Sequence, residues 1–177
     1  RKVPGIARHE QFAERKACFT RLEEVSINDA GHMLHHDQPE LLAQADSLPV
    51  PPARLVCTMG SLGTFAGLWL GARAFGAPFS VTGVAVNPTT GYTREKAAAL
   101  VNEMSAAYGL DIAAAPEDMD IIYADAAHDY AGPGYNVPDA KTRGAVELLA
   151  RTEGIFLDPC YTAKSFRGFC DIARELD

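Results

Sequence analysis

Apolar and polar positions along the chain alternate between a strand-like and a helix-like period. Leu55, Val56 and Cys57 make a short apolar run of strand type, and residues 64–73 carry the pattern of a helix. Residues 80–86 (SVTGVAV) are rich in β-branched side chains, as a strand is, and Asn87-Pro88 closes them. The next helix is predicted over 93–108, with Ala97, Leu100, Val101, Met104, Ala107 and Tyr108 as its apolar positions and Gly109 as its stop. Residues 120–123 predict a short strand, and 139–152 a helix through Ala145, Leu148 and Leu149 that Gly154 ends. Residues 155–157 predict a buried strand and 164–175 a last helix. Strands alternating with helices imply an α/β fold in three layers, a mostly parallel sheet flanked by helices, with ligands at the carboxyl ends of the strands.

The junction between the first strand and the first helix carries the most chemistry. It reads Met59-Gly60-Ser61-Leu62-Gly63-Thr64. Gly60 and Gly63 let the backbone bend and approach a ligand closely. The helix that follows offers N–H groups and a positive dipole end to an anion, and Ser61 and Thr64 add hydroxyl donors. Such a turn is a phosphate cradle or, without a ligand, a plain strand-to-helix connection.

The first fifty residues differ in character. Residues 22–27 (LEEVSI) are strand-like, and residues 39–46 predict a helix capped by Asp37. Between them lie His32, His35, His36 and Asp37, whose spacing would suit a metal on a long helix. Gly31 and Pro39 bracket the cluster too closely for such a helix, so it is expected to be a solvated loop with no metal. Pro49, Pro51 and Pro52 form a stiff joint. Two pieces are therefore expected, 1–48 and 49–177.

Composition narrows the function class. A chain of 177 residues builds one ordinary core, and 47% hydrophobic with 22% charged residues is the make-up of a globular protein. The net charge of -7 argues against nucleic-acid and anionic-membrane partners, both of which call for a basic surface. Cys18, Cys57, Cys160 and Cys170 show no metal or disulfide spacing, and free thiols in a reducing cytoplasm are expected. The start of the chain, Arg1-Lys2-Val3-Pro4, lacks the apolar stretch of a signal peptide.

A second segment gives the phosphate loop its context. It runs Gly132-Pro133-Gly134-Tyr135-Asn136-Val137-Pro138, then a helix, then Glu153-Gly154-Ile155-Phe156-Leu157-Asp158-Pro159-Cys160-Tyr161-Thr162-Ala163-Lys164-Ser165. Together with the GSxGT loop, these motifs resemble the tryptophan-synthase-β-like (fold type II) pyridoxal-phosphate enzymes, and within them the D-cysteine desulfhydrase and 1-aminocyclopropane-1-carboxylate deaminase group. The resemblance covers about residues 54–175.

It implies pyridoxal 5'-phosphate as cofactor, with Gly60, Ser61, Leu62, Gly63 and Thr64 as the phosphate cup. It also implies Thr162 as partner of the pyridine nitrogen and Tyr161 beside the substrate, a small amino acid. A neutral hydroxyl at Thr162, where the deaminase carries glutamate, suits β-elimination from an amino acid with a good leaving group. The implied reaction is of the desulfhydrase type, giving pyruvate, ammonia and sulfide. A homodimer stays open as the assembly.

One expected part is missing. The family's Schiff-base lysine lies in a glycine-asparagine-lysine context before the phosphate loop, and the lysines there are Lys2 and Lys16, in other contexts. Lys164 matches a different family lysine. The chain also ends before the glycine-rich strand that completes the family's site, so the fold is expected to be incomplete relative to the full enzyme.

Two other classes stay in view. Residues 22–46 resemble the histidine loop and final helix of α/β-hydrolases, which would make Ser61 a nucleophile with His32 and Asp29 as base and orienter. Against this, Met59 stands where that motif needs glycine, and His32 precedes Ser61 where the fold places it after. A non-catalytic module that binds pyridoxal phosphate or phosphate through residues 60–64 is the third class.

Overall fold

The computed structural model describes residues 50, 52–87, 93–124 and 129–175. The readings made for residues 1–48, His32 and Asp29 included, lie outside them. Strand β1 (Arg54–Met59) leads into helix α1 (Leu62–Ala74), followed by β2 (Ser80–Ala85), α2 (Arg94–Ala107) and the short β3 (Ile121–Ile122). Helices α3 (Ala140–Thr152) and α4 (Thr162–Glu175) complete the order. The three strands lie side by side as β1-β2-β3, all parallel, with Leu55 opposite Val81, Cys57 opposite Gly83 and Gly83 opposite Ile121.

Two neighbouring residues of β2 define the layers. Successive strand residues face opposite sides of a sheet, so Gly83 and Val84 look in opposite directions. A Cβ on Gly83 would come within 2.8 Å of the Phe65 ring of α1, and a Cβ on Gly168 of α4 would come within 2.8 Å of both Val84 methyls. Helices α1 and α4 therefore cover opposite faces, at spacings that glycine permits. Helix α2 joins α1 in one core, where Ala97, Ala98 and Val101 pack with Phe65, Leu68, Trp69 and Met119. Helix α3 lies against α4, tied by Arg167, whose guanidinium donates to Asp139 Oδ2 and Thr142 Oγ1, each at 3.3 Å.

Local chemistry explains the element ends. The Thr93 hydroxyl accepts from Lys96 N–H and the Asp139 carboxylate accepts from Thr142 N–H at 2.7 Å, side-chain caps for α2 and α3. Gly109 and Gly154 follow these helices at φ 65° and 69°, a left-handed conformation that glycine adopts without strain.

Residues 155–157, expected as a buried strand, form no strand. Ile155 and Phe156 are exposed, and Leu157 comes beside β1 in a cleft without pairing to it. Their apolar run lacks a strand partner among the described residues, and the turn that begins at Asp158 takes the backbone away.

The three cysteines among the described residues are free, and burial pushes the Cys57 thiol up to about 12. Among the described residues no helix is long and apolar enough to cross a membrane.

Candidate functional site

The carboxyl end of β1 delivers Gly60 and Ser61 to the start of α1. Ser61 is the residue before that helix, extended at φ -131° and ψ 170°, and its side chain makes no capping hydrogen bond. The first turn of α1 also carries no acidic residue. Helices α2 and α3 are capped by the side chains of Thr93 and Asp139, whereas the exposed Ser61 makes no such cap for α1. Asn87 fixes the turn by donating from Nδ2 to the Gly60 carbonyl at 3.0 Å. Leu62 is buried and presents only backbone at this point, while Gly63 and Thr64 are half-buried.

Tyr161 lies directly on this loop. A Cβ at Gly60 would sit 2.9 Å from Tyr161 Cε1, so the ring occupies space that only glycine leaves open. The Tyr161 hydroxyl donates to the Tyr135 hydroxyl at 2.9 Å, and the two rings meet edge to face with centroids 5.8 Å apart. That hydrogen bond, followed by partial desolvation, pushes the Tyr161 phenol up to about 12, because the donated proton is harder to remove. Tyr161 thus stays protonated and serves as a donor near neutral pH. Both side chains reach solvent, Tyr135 at 64% exposure and Tyr161 at 37%, as groups that meet a ligand must. Tyr135 was not among the residues expected from sequence, although its place inside the GPGYNVP motif was a signal for it.

Asp158 organises the turn that holds Tyr161. Its carboxylate accepts from the N–H groups of Cys160 at 2.9 Å, Tyr161 at 2.7 Å and Thr162 at 2.9 Å. Partial burial raises the carboxyl pKa, but the Thr162 hydroxyl and these N–H groups outweigh it, and the net shift is downward. The Thr162 hydroxyl donates to Asp158 Oδ2 at 2.5 Å and accepts from Asp158 N–H at 2.8 Å. To donate to a ring nitrogen it must release the carboxylate. Thr162 borders a cleft of about 360 Å³ beside β1, lined also by Val56, Thr58, Ser165 and Phe166. There Ser165 Oγ donates to the Thr162 carbonyl at 3.1 Å. The only proton left for the 2.5 Å contact between the two hydroxyls therefore belongs to Thr58.

The structure thus brings Tyr161 onto Gly60 and sets Thr162 one residue further, bordering the cleft. His32 and Asp29, the partners of Ser61 in the hydrolase reading, lie outside the described residues.

Comparison with known proteins bears directly on this loop. Residues 37–177 match the model of the family described as pyridoxal-phosphate dependent enzyme. A putative 1-aminocyclopropane-1-carboxylate deaminase of Thermotoga maritima is 36% identical over 124 residues, which cover 68% of this chain and 36% of that protein. A D-cysteine desulfhydrase of Klebsiella pneumoniae is 35% identical over 130 residues, covering 73% of this chain and 37% of the relative. Among solved structures, an ACC deaminase homologue superposes with a TM-score of 0.66 at 25% identity, covering 80% of this chain and 41% of that one. The chain spans little more than a third of the length of the curated relatives it matches, 36% and 37% in these two cases.

The residues present fit the phosphate end of that cofactor. A helix start whose Ser61 makes no side-chain cap, with a glycine against an aromatic ring beside it, is the kind of cradle that a phosphate fills. Among the described residues none is a lysine poised to hold the cofactor covalently. Among the described residues the lysines are Lys96 on α2, Lys141 on α3 and Lys164 on α4, and the Lys164 ammonium is engaged by the carbonyls of Ala131 and Gly134. With its parallel sheet and the match over residues 37–177 in agreement, the chain belongs to the pyridoxal-phosphate dependent enzyme family.

Proposed function

We propose that Gly60, Ser61, Leu62, Gly63 and Thr64 hold the phosphate of pyridoxal 5'-phosphate, and that Tyr161 and Tyr135 meet a small amino-acid substrate. The reaction proposed is a desulfhydrase-type β-elimination, in which cysteine and water give pyruvate, ammonia and hydrogen sulfide. The observation that carries this reading is the Tyr161 ring packed on Gly60 at the start of α1, where Ser61 makes no side-chain cap. When bound, the cofactor supplies the electron sink for bond breaking at the amino acid. The protein's part is to bind and orient. Backbone N–H groups and the Ser61 hydroxyl hydrogen-bond the phosphate, and the Tyr161 hydroxyl donates to the substrate on releasing Tyr135. Thr162 places a neutral hydroxyl where it can leave Asp158 for the ring nitrogen, which suits a ring without a forced proton.

A second reading has its own observation. The engaged Lys164 ammonium favours a site that binds the cofactor without a covalent bond. Intact mass after borohydride reduction with added cofactor separates the two. A gain of one reduced cofactor locates a functional lysine in this chain, whereas a dialysable yellow complex with no mass gain supports the non-covalent module. A chain with neither colour nor affinity contradicts both.

A further inference from the structure

Lys164 is the one charged side chain in the core of the described residues, 1% exposed. A buried ammonium is costly unless its protons find partners, and here neither partner is a carboxylate. Nζ donates to the Ala131 carbonyl at 2.5 Å and to the Gly134 carbonyl at 2.9 Å. These two acceptors flank Gly132-Pro133, in a loop whose backbone turns sharply at Gly132 (φ 65°) and again at Asn136 (φ 56°). Tyr130 and Ala131 are buried at the loop's start, and Val137 N–H returns to the Gly134 carbonyl at 3.3 Å. The next residue after Gly134 is Tyr135.

Two short segments are therefore joined twice. Residues 134–135 meet residues 161–164 once through Lys164 to the Gly134 carbonyl and once through Tyr161 to the Tyr135 hydroxyl, at 2.9 Å each. The buried junction is the charged one, and charge-assisted hydrogen bonds are about twice as strong as neutral ones. The exposed junction, between two phenols, competes with water and is weak by itself.

We propose that Lys164 is a positioning residue: by holding the carbonyls of Ala131 and Gly134 it sets Tyr135 at hydrogen-bond distance from Tyr161 over the Gly60 loop. This rests on the reading of that loop as the ligand site, but its test needs no cofactor. Lysine at this point does not carry the ligand. It fixes the register between the loop and the first turn of α4.

The test labels the full 177-residue chain with a fluorinated tyrosine and follows each phenol's titration by fluorine NMR, with Tyr135→Phe and Tyr161→Phe assigning the two resonances. In the wild type the Tyr161 phenol, raised to about 12 by its hydrogen bond to Tyr135, is expected to titrate about one pH unit or more above its value in Tyr135→Phe, a tenfold effect on its ionisation. Lys164→Met keeps the stem and removes the donors, and should bring Tyr161 to the value seen in Tyr135→Phe. Ile172→Ala, a core change in the same helix, should lower stability while leaving that titration in place. An unchanged Tyr161 titration in folded Lys164→Met overturns the proposal, and so does a wild type without the shift.

If Lys164→Met does not fold, nitrogen-edited NMR of the wild-type lysine ammonium groups decides. A slowly exchanging ammonium, absent from Lys164→Arg, supports the clamp, and only fast-exchanging ones overturn it. Loss of cofactor affinity with the clamp intact would instead count against the phosphate-loop reading alone.

Discussion

At Gly60 the absence of one methyl group is what lets an aromatic ring lie on the loop. The 2.9 Å approach to Tyr161 Cε1 makes glycine a steric requirement at this position, beyond any need for backbone freedom. Gly60, Ser61 and Tyr161 stand out in the sequence through their motifs. The contact between Gly60 and Tyr161 was not, because it joins residues a hundred positions apart. Tyr135 escaped for the same reason: its value lies in a hydroxyl partner that only the fold supplies.

Asp158 gives this scale a pH dependence. Its carboxyl pKa is lowered from the ordinary 3.8 in the folded chain, so its contribution to stability is complete above that value and lost as pH falls through the lower folded pKa. We expect Asp158→Ala to cost about 0.5–2 kcal/mol near neutral pH, the range of a lost helix cap. The difference between wild type and variant should close on acidification below 3.8, as read from urea melts at a series of pH values. A difference that persists unchanged in acid would show that the carboxylate is not the stabilising species.

At the scale of elements, the helices were the most legible part. Thr93 and Asp139 act as caps and Gly109 and Gly154 as stops, signals that reside in single residues next to periodic runs. The failed strand at 155–157 marks the limit of such reading. An apolar triplet becomes a strand only beside an available partner, and partner availability is a property of the sheet. Packing distances between layers were equally hidden.

Two glycines in helices test those distances with opposite signs. Gly168→Ala drives a methyl to 2.8 Å from both Val84 methyls, an overpacking worth about 1–3 kcal/mol against a helix-propensity gain of about 1 kcal/mol. Gly144→Ala in α3 meets nothing within 4 Å and keeps the propensity gain alone. Denaturant melts should find Gly168→Ala destabilised by up to about 2 kcal/mol and Gly144→Ala stabilised by about 0.5–1 kcal/mol. Equal effects at the two sites would contradict the assignment of α4 to the face opposite α1.

For the molecule as a whole, the three strands run parallel in the order β1-β2-β3, and the Tyr161 turn lies on Gly60 at the carboxyl end of β1. Alternating periods in the sequence were enough to read the α/β class and the parallel sheet. The extent of the fold was legible as well, since the solved relative is matched over 41% of its length. What pattern alone could not supply is the side-chain detail: which hydroxyl donates, which lysine is engaged, which residue before a helix makes no cap. That detail carries the functional claim, that this chain recognises a phosphate-bearing cofactor at residues 60–64. Equilibrium dialysis of the chain against pyridoxal 5'-phosphate and against dephosphorylated pyridoxal tests it most directly. The account predicts saturable binding of the phosphorylated form that is at least about tenfold tighter, equivalent to about 1.4 kcal/mol. Equal uptake of the two forms would contradict it.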